Sequence, residues 1–307
     1  MMALVEHYLA VRRASGFKMD SAAHRLRRFA DFAAARGDVH LRAETAVVWA
    51  GQAATPHART IWMRDLGLLA RFLRAEDAAH EIPPADIYTF RWQQRPPHLY
   101  TPEEIRDVLR AAGRRGPRGS SVADTYQTLI GLLATTGLRV GEALRLQIGD
   151  CTPQGLAIRE TKFRKSRLVP LHATTHDALR AYCARWRSQA DPAEPLIVSI
   201  HGTALHYNSV LKMFRKLLRA AGLPTSAGPI ESRMTGFRIH DLRHTYAVRA
   251  LETCPDGRDA IRRHMLALTT ALGHASVSAT YWYLHVSPQL MTDIADACEA
   301  LDLGGAP

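Results

Sequence analysis

The chain has 307 residues, enough for two domains, and 47% of them are apolar, which excludes an extended disordered chain. Its 40 Lys and Arg against 29 Asp and Glu leave a formal charge of +11, which favours a polyanionic partner, with nucleic acid first. The cysteines at 151, 183, 254 and 298 have neither metal nor disulfide spacing, no apolar run is long enough to cross a bilayer, and the first residues lack a signal-peptide pattern, so a cytoplasmic protein with reduced thiols is expected.

Residues 2–15 place Leu4, Val5, Tyr8, Leu9 and Val11 at helical spacing, and Gly16 ends the run. A second helix is expected from about Ser21 to Ala35, with Leu26, Phe29, Ala30 and Ala33 inward and Arg25, Arg27 and Arg28 on the other face. A third runs from about Ala43 to Gln52 with Val47, Val48 and Trp49. A fourth runs from about Pro56 to Ala75, with Ile61, Leu66, Leu69, Phe72 and Leu73 inward and Arg59, Arg64, Arg71 and Arg74 as its basic set. Four amphipathic helices make a compact helical domain over residues 1–92. Basic residues recurring on successive helices point to a face that follows a phosphate backbone, with Arg25, Arg28, Arg64 and Arg71 as candidate contacts.

Residues 93–100 are rich in breakers and read as a linker. Thr101-Pro102-Glu103-Glu104 is a capping box with proline at the first helical position, so a helix starts there and opens a second domain, 101–307. Residues 113–119 form a basic loop, and Asp124 to Thr135 a buried helix that Gly137 ends. Gly155 to Leu171 reads as a β-hairpin with Leu156, Ile158, Leu168 and Val169 around a basic tip containing Lys162, Arg164 and Lys165. Ala173 to Gln189 is a helix, Leu196 to Ile200 a short strand, and Tyr207 to Ala221 a basic helix carrying Lys212 and Lys216, which with Arg164 and Lys165 are further candidate DNA contacts. Helices follow at about 240–252, 257–271, 276–284 and 288–302. The fold class is thus mainly α with a small antiparallel sheet.

Certain short motifs carry the chemistry. They are Thr136-Gly137-Leu138-Arg139-Val140-Gly141-Glu142, then His240-Asp241-Leu242-Arg243-His244, then Leu272-Gly273-His274, then Tyr281-Trp282-Tyr283. Arginine forks suit phosphate oxygens, and a phenol, with a pKa of about 10, needs a nearby acceptor and a positive field to become a nucleophile. From the residues alone, Lys162 and Lys165 are both candidate proton donors, and Tyr281 and Tyr283 both candidate nucleophiles. His240 and His244 stand four apart, a spacing that metal ligands also use, although Arg243 beside them would repel the ion.

In this order and spacing the set resembles the tyrosine recombinase (phage integrase) family, and the likeness covers the whole layout. The resemblance places the family's two arginines on Arg139 and Arg243, its hairpin lysine on Lys162, its histidine positions on His240 and His274, and its nucleophile on Tyr283. Glu142 and Asp241 would support them, Asp241 by orienting Arg243 and His240. The implied activity is site-specific recombination of integrase or transposase type through a 3′-phosphotyrosine, without metal, ATP or other cofactor. A type IB DNA topoisomerase and a catalytically silent DNA-binding accessory protein are the alternatives. The implied partners are double-stranded DNA, further copies of the chain, and accessory recombinases. No membrane is implied, and the setting is a bacterial cytoplasm with nucleoid association on DNA. The copies would form a tetramer on paired sites, from chains that are monomeric or weakly associated off DNA. The helix at 288–302 would pack into a neighbouring subunit.

Overall fold

The structure is a computed structural model, and it describes residues 1–90, 96–117, 119–159, 166–225, 236–254, 258–274, 276–281 and 283. The chain divides into two compact units, Met1–Gln94 and Arg95–Pro307.

The first unit is four helices: α1 (Met2–Ala14), α2 (Asp20–Ala35), α3 (Ala43–Gly51) and α4 (Pro56–Glu76). Thr55 starts α4 by accepting from the Ala58 amide at 3.1 Å, and Pro56 supplies a preset first turn. The inward stripes meet in one core of Val5, Leu9, Leu26, Phe29, Trp49, Leu66 and Leu69, among others. Trp49 sits edge-on to Phe29 and stacks on Trp62 with ring centres 4.3 Å apart. Val11 of α1 and Val48 of α3 are exposed. Each falls outside the arc of its helix that faces the other three.

The second unit begins with α5 (Pro102–Gly113), whose start is the expected reciprocal capping box of Thr101 and Glu104. Next come α6 (Val122–Thr136), the short α7 (Val140–Ala143), and a three-stranded antiparallel sheet of β1 (Cys151–Thr152), β2 (Gly155–Ile158) and β3 (Arg167–Val169). Cys151 pairs with Leu156, and Ile158 pairs with Arg167. The remaining helices are α8 (Ala173–Trp186), α9 (Tyr207–Ala220), α10 (Asp241–Glu252), α11 (Arg258–Leu272) and α12 (Ser278–Tyr281). Helix α6 packs on α5, α8 and α10, so it forms the centre of the unit. Its apolar surface, Leu129, Ile130, Leu132 and Leu133, lies in the larger core. A smaller cluster of Val248, Leu251, Met265, Leu268, Leu272 and Tyr283 joins α10 to α11 and anchors the tyrosine.

One expectation about strands is corrected. Leu196 to Ile200 is not a strand: Leu196, Ile197 and Val198 are buried, but only isolated bridges form, Gln147 with Pro195 and Val198 with Ala204. Apolar burial holds this segment, and among the described residues no neighbouring strand runs alongside it for a ladder. Leu168 is exposed, because in β3 side chains alternate and Val169 takes the buried face. The helix expected at 288–302 lies outside the described residues. Among the described residues, no helix is long and apolar enough to cross a membrane.

Candidate active site

Helix α6 stops at Gly137, whose φ is +63°; a Cβ there would lie 2.4 Å from the ring of Tyr246. The chain turns and Arg139 caps α7, with its amide donating to Glu142 Oε2 at 3.0 Å and its Nη1 donating to Oε1 at 2.8 Å. Arg139 Nη2 reaches the carbonyl of Gly273 at 3.3 Å. Arg243, on the first turn of α10, is only 3% exposed. Its Nη1 donates to the carbonyl of Gly137 and its Nη2 to that of Leu272, each at 2.7 Å. The two guanidinium groups therefore tie together the ends of α6 and α11. Burial, and then the charge of Arg139, lower the Arg243 pKa to about 10. The site thus concentrates positive charge with few internal carboxylates to neutralise it.

Tyr283 is 3% exposed. The His274 ring stacks beside it at 6.0 Å, and the His244 ring tilts against it at 5.4 Å. Burial pushes the phenol pKa up, and Arg243 and Arg139 oppose that push. His274 is held from behind: its Nδ1 meets Thr280 Oγ1 at 2.8 Å, and Thr280 Oγ1 meets Thr269 Oγ1 at 3.0 Å. Both threonines are buried, so this relay fixes the ring's orientation. His240 stands at the solvent-facing rim, edge-on to His244 at 4.8 Å. The protein packed behind its ring and the charge of Arg243 lower its pKa.

Burial and the surrounding cations bring His274 down to about 4 and His244 down to about 3. Both are neutral at pH 7. On acidification the unfolded chain takes up these protons first, because free imidazoles titrate near 6.5. Stability is therefore expected to fall from pH 6.5 downward, by roughly 2 kcal/mol for each histidine by pH 5. Glu142 adds a later loss. Burial alone would raise its pKa, but the Arg167 hydrogen bond and then Arg139 bring it to about 2, so its contribution disappears only below about pH 4.5. Urea melts from pH 7 to pH 3 test this, and a flat midpoint between pH 7 and 5 would refute it.

The structure brings Arg139, Glu142, Arg243, His274 and Tyr283 together, with His240 and His244 alongside. Asp241 does not play the expected part. It is fully buried but serves Arg238, accepting from its amide at 3.0 Å and from its Nη2 at 2.9 Å. Three residues separate the pair, so Asp241 closes the first turn of α10 instead of reaching Arg243. Lys162, Arg164 and Lys165 lie outside the described residues, as does the side chain of Tyr281. Of the expected DNA contacts, Lys212, Lys216, Arg28, Arg64 and Arg71 are exposed. Arg25 is corrected: it donates Nε and Nη2 to the buried Asp65 at 2.9 and 2.6 Å, a bond that ties α2 to α4. Among the described residues, no cluster of three or more His, Cys, Asp or Glu is placed to hold a metal.

Sequence reasoning missed Arg167. Its Nη2 and Nη1 donate to Glu142 at 2.9 and 3.3 Å, and its Nε donates to the carbonyl of Ala271 at 2.8 Å. The signal was present, since the alternation that turns Val169 inward also turns Arg167 inward.

A family model described as "Phage integrase family" matches residues 100–289, which include every member of this cluster. The putative integrase/recombinase y4rB of Sinorhizobium fredii is 37% identical over 94% of this chain and 94% of its own length. The tyrosine recombinase XerC of Brucella suis is 30% identical over 78% of this chain and 71% of its own. Among solved structures, a lambda integrase tetramer bound to a Holliday junction shares the fold, with a TM-score of 0.59 and 18% identity over 89% of this chain and 77% of that one. Likeness in sequence along nearly the full length of a relative is what common descent leaves, and the chain belongs to the phage integrase family, the tyrosine recombinases.

Proposed function

We propose that this protein is a site-specific DNA recombinase of integrase or transposase type, with Tyr283 as the nucleophile. The observation that carries this reading is the buried Tyr283 phenol, packed against the His274 and His244 rings in the field of the buried Arg243 and of Arg139, which Glu142 holds. The phenol oxygen attacks the scissile phosphorus and the bond to the 5′ oxygen breaks. The phenol proton passes to a neighbouring imidazole, assigned to His240, and Lys162 protonates the departing 5′ oxygen. Arg139, Arg243 and His274 hold the non-bridging oxygens, where charge develops. The product is a 3′-phosphotyrosyl diester and a free 5′ hydroxyl. The diester conserves the bond, so a second strand's 5′ hydroxyl reverses the step without ATP.

The reading assigns residues 1–92 to a DNA-binding domain, 93–100 to a linker and 101–307 to the catalytic domain. Exposed Arg28, Arg64, Arg71, Lys212, Arg215 and Lys216 are assigned to the phosphate backbone. About six such contacts predict that affinity for duplex DNA falls roughly 10³-fold between 50 and 200 mM salt. Affinity indifferent to salt in that range would overturn the assignment. DNA and a homo-oligomer on DNA are the partners, and the tetrameric lambda integrase complex supports four copies per synapse. Accessory recombinases and nucleoid association belong to the same reading. Recombination of paired sites by the purified chain alone would remove the need for a second recombinase.

The deciding experiment uses duplexes selected from a random library by the full-length protein, then nicked near the cleavage point to trap the adduct. A denaturant-stable protein–DNA adduct is expected. Relaxation of supercoiled DNA lacking a selected site would favour the topoisomerase reading instead, and absence of any adduct would favour the accessory protein.

A further inference from the structure

We propose that Arg167 is a positioning residue of the recombination site, locking Glu142, and through it Arg139, to the C-terminal end of α11. The proposal rests on the reading that Arg139 and Arg243 hold the scissile phosphate.

Its side chain is 6% exposed, so its three hydrogen bonds define where it sits. Glu142 receives two donors from Arg167 and two from Arg139, which uses the full accepting capacity of one carboxylate. The carboxylate therefore cannot turn without breaking bonds to both arginines. The Arg167 Nε bond to Ala271 fixes the backbone just ahead of Leu272 and Gly273. Those two residues supply carbonyls to Arg243 and Arg139, and His274 follows directly. One guanidinium thus sets the support of both phosphate-binding arginines and the approach to His274. Gly273 makes the room for it. With φ at +64°, it lies so close that a Cβ would stand 2.6 Å from Arg167 Nη1. The sheet supplies the rigidity: Arg167 pairs with Ile158, and Ile158 and Val169 are in the core.

A buried ion pair of purely structural use predicts something different. Its loss would lower stability without any special relation to Arg139. The test is a double-mutant cycle on the full-length chain, read as the rate of adduct formation on the nicked selected duplex. Arg167→Ala is expected to slow that rate about 10²-fold, as misplacement of catalytic groups does, with affinity for the duplex within about threefold. In an Arg139→Ala background the same change is expected to cost less than about threefold, because the residue it positions is gone. Arg167→Lys keeps the charge but cannot span Glu142 and Ala271 together, so at least about tenfold of the loss should remain. Gly273→Ala keeps the Arg167 charge pair and displaces the guanidinium, and should reproduce the Arg167→Ala pattern. That variant and Arg167→Lys decide the matter if Arg167→Ala does not fold. An undiminished rate in folded Arg167 variants, or losses that multiply fully in the double mutant, would overturn the proposal. If the unaltered protein forms no adduct, it is the parent reading that fails.

Discussion

Tyr283→Phe is expected to abolish the covalent DNA adduct, a loss of at least ~10⁴-fold, in the range seen when a nucleophile is deleted. The change removes one oxygen and leaves the ring packed against His274 and His244. DNA affinity should stay within about threefold. Stability should fall by no more than about 1 kcal/mol, the usual net worth of one hydrogen bond. Tyr281→Phe should still trap DNA. Trapping of nicked duplex by each variant, alongside its melting temperature, checks this. An adduct that survives in the Tyr283 variant and vanishes in the Tyr281 variant would move the nucleophile.

Arg243→Lys should lower the rate of adduct formation about 10²- to 10³-fold, the cost of removing one preorganised donor to a developing anion. The magnitudes explain why charge alone does not rescue it. Arg243 uses one fork to reach Gly137 and Leu272 at once. An ammonium on a flexible stem cannot span those positions and still point at phosphate. One buried carbonyl left without its donor costs roughly 1–3 kcal/mol, so stability should fall in that range. Single-turnover rates on nicked duplex and urea melts give the two effects separately. A rate within about threefold of the unaltered protein would show that Arg243 contributes only charge.

The sequence by itself determined the helices and most of the chemistry. Apolar spacing marked α1 to α4 closely, and the capping box at Thr101 marked the start of α5, because periodicity and caps are local properties of the chain. Gly137 marked the end of α6, since its conformation is one that other residues resist. Arg139, Arg243, His274 and Tyr283 were legible because their motifs are short and ordered. Their convergence was not local. Residues 139 and 273 meet only because the C-terminal ends of α6 and α11 and the start of α10 come to one place. Tertiary structure alone decided which charged side chains were already occupied. Arg25 looked like a surface cation until Asp65, forty positions away, was seen to hold it. Asp241 looked like a partner of Arg243 until the turn geometry gave it to Arg238. Arg167 carried no motif, and its partners are Glu142 and Ala271, set by how β3 lies against α7 and α11. A charge's pattern in sequence shows that it needs a partner, and only packing shows which partner the low dielectric of the interior makes obligatory.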